Sequence, residues 1–504
     1  MSKYEITIGI ECHVQLATKT KLFSEVDNDA RGKEPNSCVS PVDYALPGML
    51  PRLNAEAVRF AVRAGHAMNA EINPISRFDR KHYYYPDLPK GYQISQLYQP
   101  IIGAGFIELP DGTKVRIEHA HLEEDAGKLS HFGSYSLVDL NRAGTPLIEI
   151  VSMPDIHSAA HARDYCKELW RIMTYAGVTY GDLYNGNMRF DVNISLAPEG
   201  AKELGTRAEI KNLNSFRSVE RAVEYEYQRQ SKLLDKGEKV KQETRGWSDD
   251  TGKTTAQRSK EEAQDYRYMP EPDVPPIHLS DEYIATEKSA LPLLPSDYRA
   301  RFADAIPHDT LEILLDYQPL MEKLGELDDL NHPFEARSQS RREAASDPAT
   351  AGVASVPRKD VQIISKVANL FASVLLAEEK SAEYLNDLPS VAQLRDLVKM
   401  NSDKELSSTA TKEVFLKFFD PQMKTKSTKD IAKELGVIQE NDTAALEKIV
   451  DTVLAKPETQ KAQADFKAGQ DKVIGFLVGQ VMKESHGQAN PSAVQQILRT
   501  KLSK

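Results

Sequence analysis

The chain has 504 residues, of which 40% are hydrophobic and 28% charged, a composition typical of an ordinary globular protein with about three domains. It has no apolar run long enough to span a membrane, and its N-terminus, MSKYEITIGIE, carries no signal or transit pattern, so we expect a cytoplasmic, bacterial-type protein. The net charge of −11 argues against nucleic-acid binding over the whole surface, and three cysteines without paired spacing exclude a disulfide framework.

The first predicted strand, EITIGIECHVQL, alternates apolar and polar residues. A strand has a period of two, so Glu11 and His13 share one face, about 7 Å apart along the strand. Cys12 falls on the opposite, apolar face, which favours a buried structural thiol over a nucleophile.

The segment RKHYYYPDLPKGYQISQ (80–96) combines four tyrosines, three of them consecutive, with two prolines and two lysines. The prolines fix the backbone of a turn, so that Lys81 and Lys90 can be directed towards one place. Tyr83 and its two neighbours can pack by ring and bond by hydroxyl against a ligand. We interpret this segment as one wall of a binding pocket.

The next element, HAHLEEDAGK (119–128), crowds Glu123, Glu124 and Asp125 before a glycine. Adjacent carboxylates repel one another unless they are solvated, spread apart or bound to a cation. If the element is an extended strand, Glu123 and Glu124 face opposite ways, and the sequence leaves open which of them ligates a metal.

Two further strands repeat the alternation. MRFDVNIS places Arg189, Asp191 and Asn193 on one face, and TRAEIKN does the same for Glu209 and Lys211. A solvent-facing sheet surface produces the same alternation, but solvated faces favour Lys, Glu and Thr. Carboxylates beside histidine and asparagine suit a hard cation, and Arg and Lys suit phosphate oxygens. The four elements together therefore predict a Mg²⁺ and nucleotide-phosphate site on a sheet.

Other chemistries are not supported by the sequence. RGWSDDTGKT has five residues between its glycines where a Walker A loop has four, and no apolar strand precedes it. No GxSxG, HExxH or GxGxxG pattern occurs.

The proline-rich MPEPDVPPIHL (269–279) marks the end of the strand-rich part, and the rest is predicted to be helical. Apolar residues recur at helical spacing over 361–376, which predicts a helix, whereas residues 338–357 are predicted to form a mobile loop. Near the end of the chain, Gly487 can stop a helix and Asn490-Pro491 can begin the next one. We therefore predict an α+β fold: a mixed-sheet cradle domain (1–290), an all-α connector (291–400) and a small all-α tail (401–504). The tail holds 16 Lys and Arg against 14 Asp and Glu. This slight positive excess can serve a local contact with a polyanion, or it can have arisen by random variation in charge along the sequence.

Long ordered motifs now become recognisable. The chain resembles the B subunit family of the tRNA-dependent amidotransferase GatCAB from about residue 4 to 502, less clearly between 295 and 410, through IGIECHVQL, RKHYYYPDLPKGYQISQ, HLEEDAGK, DLNRAGTPLIEIVS, MRFDVNIS, GTRAEIKNLNSFR, QETRGW, RSKEEAQDYRYMPEPD and GFLVGQVMKESHGQANP. The resemblance implies an ATP-dependent ligase that converts Glu-tRNA(Gln) to Gln-tRNA(Gln), Asp-tRNA(Asn) to Asn-tRNA(Asn), or both. It implies phosphorylation of the side-chain carboxylate with Mg-ATP and amination by ammonia from glutamine hydrolysed in a partner A subunit, within a heterotrimer that a small C subunit holds together.

The resemblance also implies roles for individual residues. The expected catalytic and metal positions are Glu11, His13, Glu123, Glu124, Asp191 and Glu209. The candidates for contact with the nucleotide or the substrate carboxylate are Lys81, Tyr83, Lys90, Arg189, Asn193 and Lys211. Each of the charged or amide candidates can instead be a structural ion-pair or hydrogen-bond partner. In the tail, Lys424, Lys426, Lys429 and Lys433 are candidates for tRNA backbone contacts, or else belong to a solvated helix face.

The sequence also bears on partner subunits and on zinc. The sequence contains no motif typical of a glutamine-hydrolysing site. An obligate partner that supplies the ammonia is therefore expected. Some family members carry a zinc-binding cysteine quartet before the LPG segment, but here Cys38 stands alone in that region, so we expect no zinc. The alternative is a non-catalytic tRNA-binding scaffold subunit, which has no need to retain Glu11, His13, Asp191 and Glu209 together.

Overall fold

The computed structural model of the chain describes residues 3–259, 265–329, 358–439, 443–485 and 489–503. The chain divides into two compact units, Met1–Pro295 and Ser296–Lys504. The boundaries predicted at residues 290 and 400 stay predictions.

The N-terminal unit carries strands and four helices among its described residues. The strands are β1 (Tyr4–Gln15), β2 (Ile75–Ser76), β3 (Asp79–His82), β4 (Tyr92–Ser95), β5 (Gly105–Glu108), β6 (Lys114–Glu124), β7 (Lys128–Phe132), β8 (Tyr135–Asp139), β9 (Pro146–Ser152), β10 (Met188–Pro198), β11 (Ala208–Leu213), β12 (Glu243–Ser248), β13 (Lys253–Ser259), β14 (Met269–Pro270) and β15 (Ile277–His278). The helices are α1 (Ala55–Ala67), α2 (Ala159–Tyr175), α3 (Phe216–Asp235) and α4 (Asp281–Ser289).

Eight strands form the main sheet, in the order β13-β12-β11-β10-β1-β9-β6-β5. All neighbours are antiparallel except β11 and β12, which are parallel. Helix α3 lies between these two strands in the chain, because a parallel pair needs a crossover connection. Smaller sheets are β14-β3-β4, β15-β2 and the hairpin β7-β8. The sheet is therefore mixed, as predicted.

The two faces of the main sheet differ because the strands alternate. On β1, Ile8, Ile10, Cys12 and Val14 are buried in the core, whereas Glu11 and His13 are only half-buried. Helices α1, α2 and α3 contact strands β6, β5 and β10 of this sheet. Serines begin two of these helices, since Ser158 and Ser215 accept hydrogen bonds from the backbone N–H groups of His161 and Ser218.

A buried ion pair holds the loop that follows β1. The ammonium of Lys21, fully buried, lies 3.2 Å from Asp43 Oδ2 and donates to the Cys38 carbonyl at 2.7 Å. Burial lowers the pKa of Lys21, an effect that the Asp43 charge opposes. All three cysteines are buried free thiols.

The described part of the second unit is entirely helical. Its α-helices are α5 (Pro295–Phe302), α6 (His308–Leu314), α7 (Gln318–Asp329), α8 (Arg358–Ser373), α9 (Ser381–Tyr384), α10 (Val391–Ser402), α11 (Ser408–Lys417), α12 (Thr428–Glu434), α13 (Thr443–Leu454), α14 (Gln460–Lys467), α15 (Ile474–Glu484) and α16 (Pro491–Leu502). Short 3₁₀ helices lie at Leu375–Ala377, Pro457–Thr459 and Asp471–Val473.

Two sequence expectations about these helices are confirmed. Helix α8 and the 3₁₀ turn that begins at Leu375 account for most of the periodic stretch 361–376, and the residues at helical spacing are buried: Ile364, Val367, Phe371, Val374 and Leu375. Asn490 caps α16, because its side chain accepts from the N–H groups of Ser492 and Ala493, with Pro491 at the first helical position. The predicted loop 338–357 and the predicted stop at Gly487 lie outside the described residues.

The α+β class is thus confirmed, with a sheet domain followed by helices. Among the described residues, no helix combines the length and apolar character that crossing a bilayer requires.

Candidate active site

One face of the main sheet carries most of the predicted site residues. Strand pairing places Asp191 opposite Glu11, and Arg189 opposite His13. On the other side of β1, His13 pairs with Glu149. Because directly opposed residues share a face, the adjacent strands β10, β1 and β9 align polar side chains in rows.

The first cluster on this face combines two histidines and two carboxylates. His13 Nε2 lies 3.4 Å from Glu123 Oε1 and 3.5 Å from Glu149 Oε2. His121 Nε2 lies 3.8 Å from Glu123 Oε2 and 3.5 Å from the same Glu149 oxygen. Candidate ligand atoms of His13, Glu123 and Glu149 all lie within 4.8 Å of one another. Two carboxylates and an imidazole at this spacing form a donor set that fits a hard divalent cation.

The charges of the first cluster are strongly coupled. Burial by itself would lower the pKa of His13, but hydrogen bonding and attraction to Glu123 and Glu149 raise it to about 10. The same carboxylates raise the pKa of His121 to about 9 against the effect of burial. In return, the histidines hold the carboxyl pKa of Glu123 and Glu149 below the usual range. A cation bound here would replace protons on the imidazoles, because histidine ligates only when neutral.

The second cluster lies two residues back along β1. Carboxylate oxygens of Glu11, Asp191 and Glu209 lie within 4.8 Å of one another. The Lys211 ammonium bridges two of them, at 2.7 Å from Asp191 and 2.9 Å from Glu209. Asn193 Nδ2 donates to Glu11 at 2.8 Å. Burial, with the charge of Glu149, raises the pKa of Glu11.

The family follows from two matches that cover most of the chain. Residues 6–285 match the model described as the GatB/GatE catalytic domain, and residues 358–502 match the one described as the GatB domain. The chain belongs to the GatB family.

Similar proteins support this assignment over the full length. The chain is 44% identical over 509 residues to the B subunit of the aspartyl/glutamyl-tRNA(Asn/Gln) amidotransferase of Saccharophagus degradans, covering 99% of each. It is 42% identical over 502 residues to the B subunit of the same enzyme from Persephonella marina, covering 99% of each. For the one from Carboxydothermus hydrogenoformans the values are 40% over 515 residues, with both chains fully covered.

In this GatB-family chain, Glu123 and Glu124 have different environments. Strand β6 runs to Glu124, so the two side chains leave the strand on opposite faces. Glu123 joins the first cluster, whereas Glu124 accepts from Lys90 Nζ at 2.5 and 2.6 Å and from the Ile94 N–H at 2.9 Å. The structure therefore separates Glu124 and Lys90 from the two clusters as a buried ion pair, and their predicted roles in catalysis and nucleotide binding stay predictions.

Lys81 and Arg189 lie beside the first cluster. Against the effect of burial, the charge of Glu123 raises the pKa of Lys81, whose ammonium lies 5.2 Å from the Tyr266 ring centre. Arg189 Nη2 contacts Asp125 at 3.1 Å. Both cations thus lie near carboxylates, and their predicted contacts with the nucleotide or the substrate carboxylate stay predictions.

The tyrosines of the turn extend away from β3. Tyr83 stacks on Tyr85 with ring centres 5.6 Å apart, and its N–H donates to the Gly91 carbonyl at 3.0 Å. Tyr84 is 74% exposed. The predicted contact between Tyr83 and a ligand stays a prediction.

The sequence reasoning missed Glu149 and His121. Glu149 lies in PLIEIVS, where apolar residues occupy both faces, so the alternation gives no signal. His121 had a signal, because it alternates with Glu123 in HAHLEED. Both residues enter the site through the pairing of β9 with β1 and β6.

Proposed function

We propose that this chain is the catalytic B subunit of a tRNA-dependent amidotransferase. It would convert glutamate on tRNA(Gln), aspartate on tRNA(Asn), or both, to the corresponding amides with ATP. The observation that carries this proposal is the pair of carboxylate clusters on one sheet face, bordered by Lys81, Lys211 and Arg189. The names of the full-length relatives support the same reaction.

The chemistry requires an activated carboxylate, because a carboxylate anion repels nucleophiles and lacks a leaving group. A side-chain oxygen attacks the γ-phosphorus of ATP, the bond to the β–γ bridging oxygen breaks, and ADP leaves. Ammonia then attacks the acyl carbon, phosphate departs, and the nitrogen releases one proton. The first step brings two negative groups together, and the second develops negative charge on the acyl oxygen and the departing phosphate, so fixed cations must offset charge in both.

The residues of the chain divide this work. Lys81 and Arg189 would shield phosphate oxygens beside the first cluster, and Lys211 would do so beside the second. His13, Glu123 and Glu149 would hold one Mg²⁺, and Glu11, Asp191 and Glu209 are a second candidate set. When bound, Mg²⁺ would neutralise charge on the transferred phosphoryl group. His121 contacts both Glu123 and Glu149, so it would orient these ligands.

The supply of ammonia and the binding of tRNA involve parts of the complex outside the two clusters. We propose that an A subunit supplies ammonia from glutamine and that a C subunit joins the two in a heterotrimer, with this chain contributing tRNA contacts through its tail. Two of the tail lysines are already engaged at the surface, Lys424 with Asp387 and Lys426 with Glu434. Lys429 and Lys433 are therefore the better candidates for phosphate contacts.

The test uses the complex with its partner subunits, ATP and mischarged tRNA, with ammonium chloride as nitrogen donor to bypass glutamine hydrolysis. His13→Ala is expected to lower amide formation at least about 100-fold, since it removes a cation ligand. His161→Ala is the matched control, because His161 pairs with Asp111 at the surface, 3.0 Å away. Full-rate amidation by His13→Ala contradicts the site. Wild-type complex that hydrolyses no ATP in response to Glu-tRNA or Asp-tRNA favours a scaffold role.

A further inference from the structure

Three carboxylates follow one another in HLEEDAGK, and the third, Asp125, belongs to neither cluster. It follows the last residue of β6 and continues the pairing with the segment before β9. Its N–H donates to the Thr145 carbonyl at 2.8 Å, and its carbonyl accepts from the Gly144 N–H at 3.0 Å. Because side chains alternate along an extended chain, Asp125 shares the face of Glu123 rather than that of Glu124. It is therefore a buried carboxylate on the polar face of the sheet.

On this face Asp125 pairs with Arg189, whose Nη2 lies 3.1 Å from Asp125 Oδ2. Arg189 belongs to β10, directly opposite His13, and strands β1 and β9 lie between β10 and β6 in the sheet. The ion pair therefore draws the Arg189 side chain across the sheet, towards the strands that carry the first cluster. Attraction to Asp125 raises the pKa of Arg189, and the charges of Asp191 and Glu123 add to this effect.

Arg189 keeps hydrogen-bonding capacity after this contact. Within the described parts of the chain, the bond to Asp125 is the only hydrogen bond of its guanidinium, so its other N–H groups lack protein acceptors. The Arg189 side chain is 37% exposed, against 12% for Asp125. A guanidinium that is held at one nitrogen and open at the others suits the oxygens of a phosphate group.

The Asp125 carboxylate is itself fixed at both oxygens. Oδ1 accepts from the Ala126 N–H at 2.9 Å, and Oδ2 lies 3.3 Å from Arg142 Nε as well as 3.1 Å from Arg189 Nη2. Arg142 in turn donates to the carbonyls of Ala126 and Gly127, both at 3.0 Å, and so closes the turn that carries Asp125. Because two guanidiniums share one carboxylate, the group keeps a net positive charge that attracts an anion.

We propose that Asp125 is a positioning residue for the nucleotide. It holds the Arg189 guanidinium beside the first cluster, and the open N–H groups of Arg189 then bind phosphate oxygens of ATP. Without this contact the long side chain loses its fixed orientation, and binding must supply the entropy of ordering it again. The role rests on the proposed function, but it is measured by nucleotide binding, which needs no turnover.

The first test replaces Asp125 by a residue of the same size. In Asp125→Asn the amide offers a single acceptor, so it cannot serve both Ala126 and Arg189. The probe is a non-hydrolysable ATP analogue with MgCl₂, titrated calorimetrically into the complex of this chain with its partner subunits. Asp125→Asn is expected to weaken binding about 5- to 50-fold, the effect of losing a hydrogen bond between charged groups. Asp155→Asn is the matched control and should bind like wild type, because Asp155 accepts from Arg116 at 2.7 and 2.8 Å in the same unit, outside both clusters.

A double-mutant cycle shows whether Asp125 acts through Arg189. Arg189→Gln removes the guanidinium from a partly exposed position and is expected to weaken binding of the analogue at least as much as Asp125→Asn. Adding Asp125→Asn to Arg189→Gln should then weaken binding by less than about 2-fold. Equal weakening by Asp125→Asn in both backgrounds would mean a purely structural effect and overturns the proposal, as does unchanged binding by Asp125→Asn alone.

The amidation assay separates this role from the proposed function. With ammonium chloride as nitrogen donor, Asp125→Asn should raise KM for ATP and leave KM for aminoacyl-tRNA unchanged. A raised KM for aminoacyl-tRNA alone assigns Arg189 to the substrate carboxylate and overturns the nucleotide role. A wild-type complex that binds the analogue with the expected dependence on Asp125 and Arg189, yet forms no amide, rejects the proposed function and keeps the positioning role.

Discussion

The adjacent glutamates of β6 give a sharp prediction, because they leave the strand on opposite faces. Glu124→Gln is expected to destabilise the N-terminal unit, and Glu123→Gln is expected to change the Mg²⁺ requirement of the reaction. Burial raises the pKa of Glu124 even though Lys90 opposes this effect. The buried Glu124 carboxylate therefore depends on the positive charge of Lys90.

The magnitude follows from the contacts. Unit charges 2.6 Å apart attract by roughly 6 kcal/mol at an effective dielectric constant of 20, most of which offsets desolvation. With side-chain exposures of 10% for Lys90 and 3% for Glu124, removal of one partner leaves the other buried and uncompensated. Glu124→Gln should therefore lower the free energy of unfolding by about 3–5 kcal/mol. Glu123→Gln also removes a buried charge, one whose pKa the neighbouring histidines hold below its usual range, so it too should lower the free energy of unfolding, and the Mg²⁺ requirement is what distinguishes the two variants.

The chain supplies its own probe for this measurement. Its two tryptophans, Trp170 and Trp247, both lie in the N-terminal unit, so tryptophan fluorescence during urea unfolding follows that unit alone. Magnesium is titrated in the amidation assay with ammonium chloride. Glu123→Gln should raise the half-saturating Mg²⁺ concentration at least about 10-fold, and Glu124→Gln should leave it unchanged in whatever activity remains. A shifted Mg²⁺ requirement in Glu124→Gln with wild-type stability would refute the separation.

Three further predictions concern the two clusters. Glu149→Gln should raise the half-saturating Mg²⁺ concentration at least about 10-fold, since it removes a charged ligand; the control, Glu108→Gln, lies in an exposed ion pair and should match wild type. Lys211→Met should lower the melting temperature in EDTA. The loss in free energy of unfolding should be only about 1 kcal/mol, because Lys211 is 38% exposed and solvent screens its charge. Added MgCl₂ should reverse the loss, and absence of reversal speaks against a second cation site. The third prediction is alkaline destabilisation in EDTA. His121 has a folded pKa of about 9, above its unfolded value, so its stabilising contribution is complete below about pH 6.5 and disappears as pH rises through 9. Unfolding by urea between pH 6 and 10 measures this decline, and His121→Gln should reduce it; an identical decline in that variant contradicts the assignment.

Much of the candidate site could be read from the sequence because strand alternation is local. Glu11, His13, Asp191 and Glu209 were placed on polar faces from three short segments, and the sheet brings those faces together. The grouping within that face was not predictable, because it depends on register. Whether Glu11 lies next to Asp191 or Asn193 is decided by the pairing of β1 with β10 across about 180 residues of sequence.

The fold class was predictable for a similar reason, whereas the place of Glu149 and the choice between Glu123 and Glu124 were not. Helical periodicity and proline content separated the strand-rich part from the helical part. Glu149 was missed because its neighbours on the same face of β9, Leu147 and Val151, are apolar, so the strand carries no alternation. The choice between Glu123 and Glu124 required knowing that β6 extends to its last residue. Neither the Lys90–Glu124 pair nor the Lys21–Asp43 pair has a local signature, since each joins distant segments.

The central position of β1 has a consequence for how the protein is made. β1 leaves the ribosome well before its two neighbours in the sheet, β9 and β10, which are formed by residues 146–198. At about 5–20 residues per second, roughly 7–27 seconds pass before β9 is complete, so both edges of β1 stay unpaired for that time and the edge that pairs with β10 for longer. During that interval an apolar strand bearing Glu11 and His13 is open to wrong pairing. The strand that contributes Glu11 and His13 to the two clusters is thus a segment of the nascent chain that a chaperone would protect.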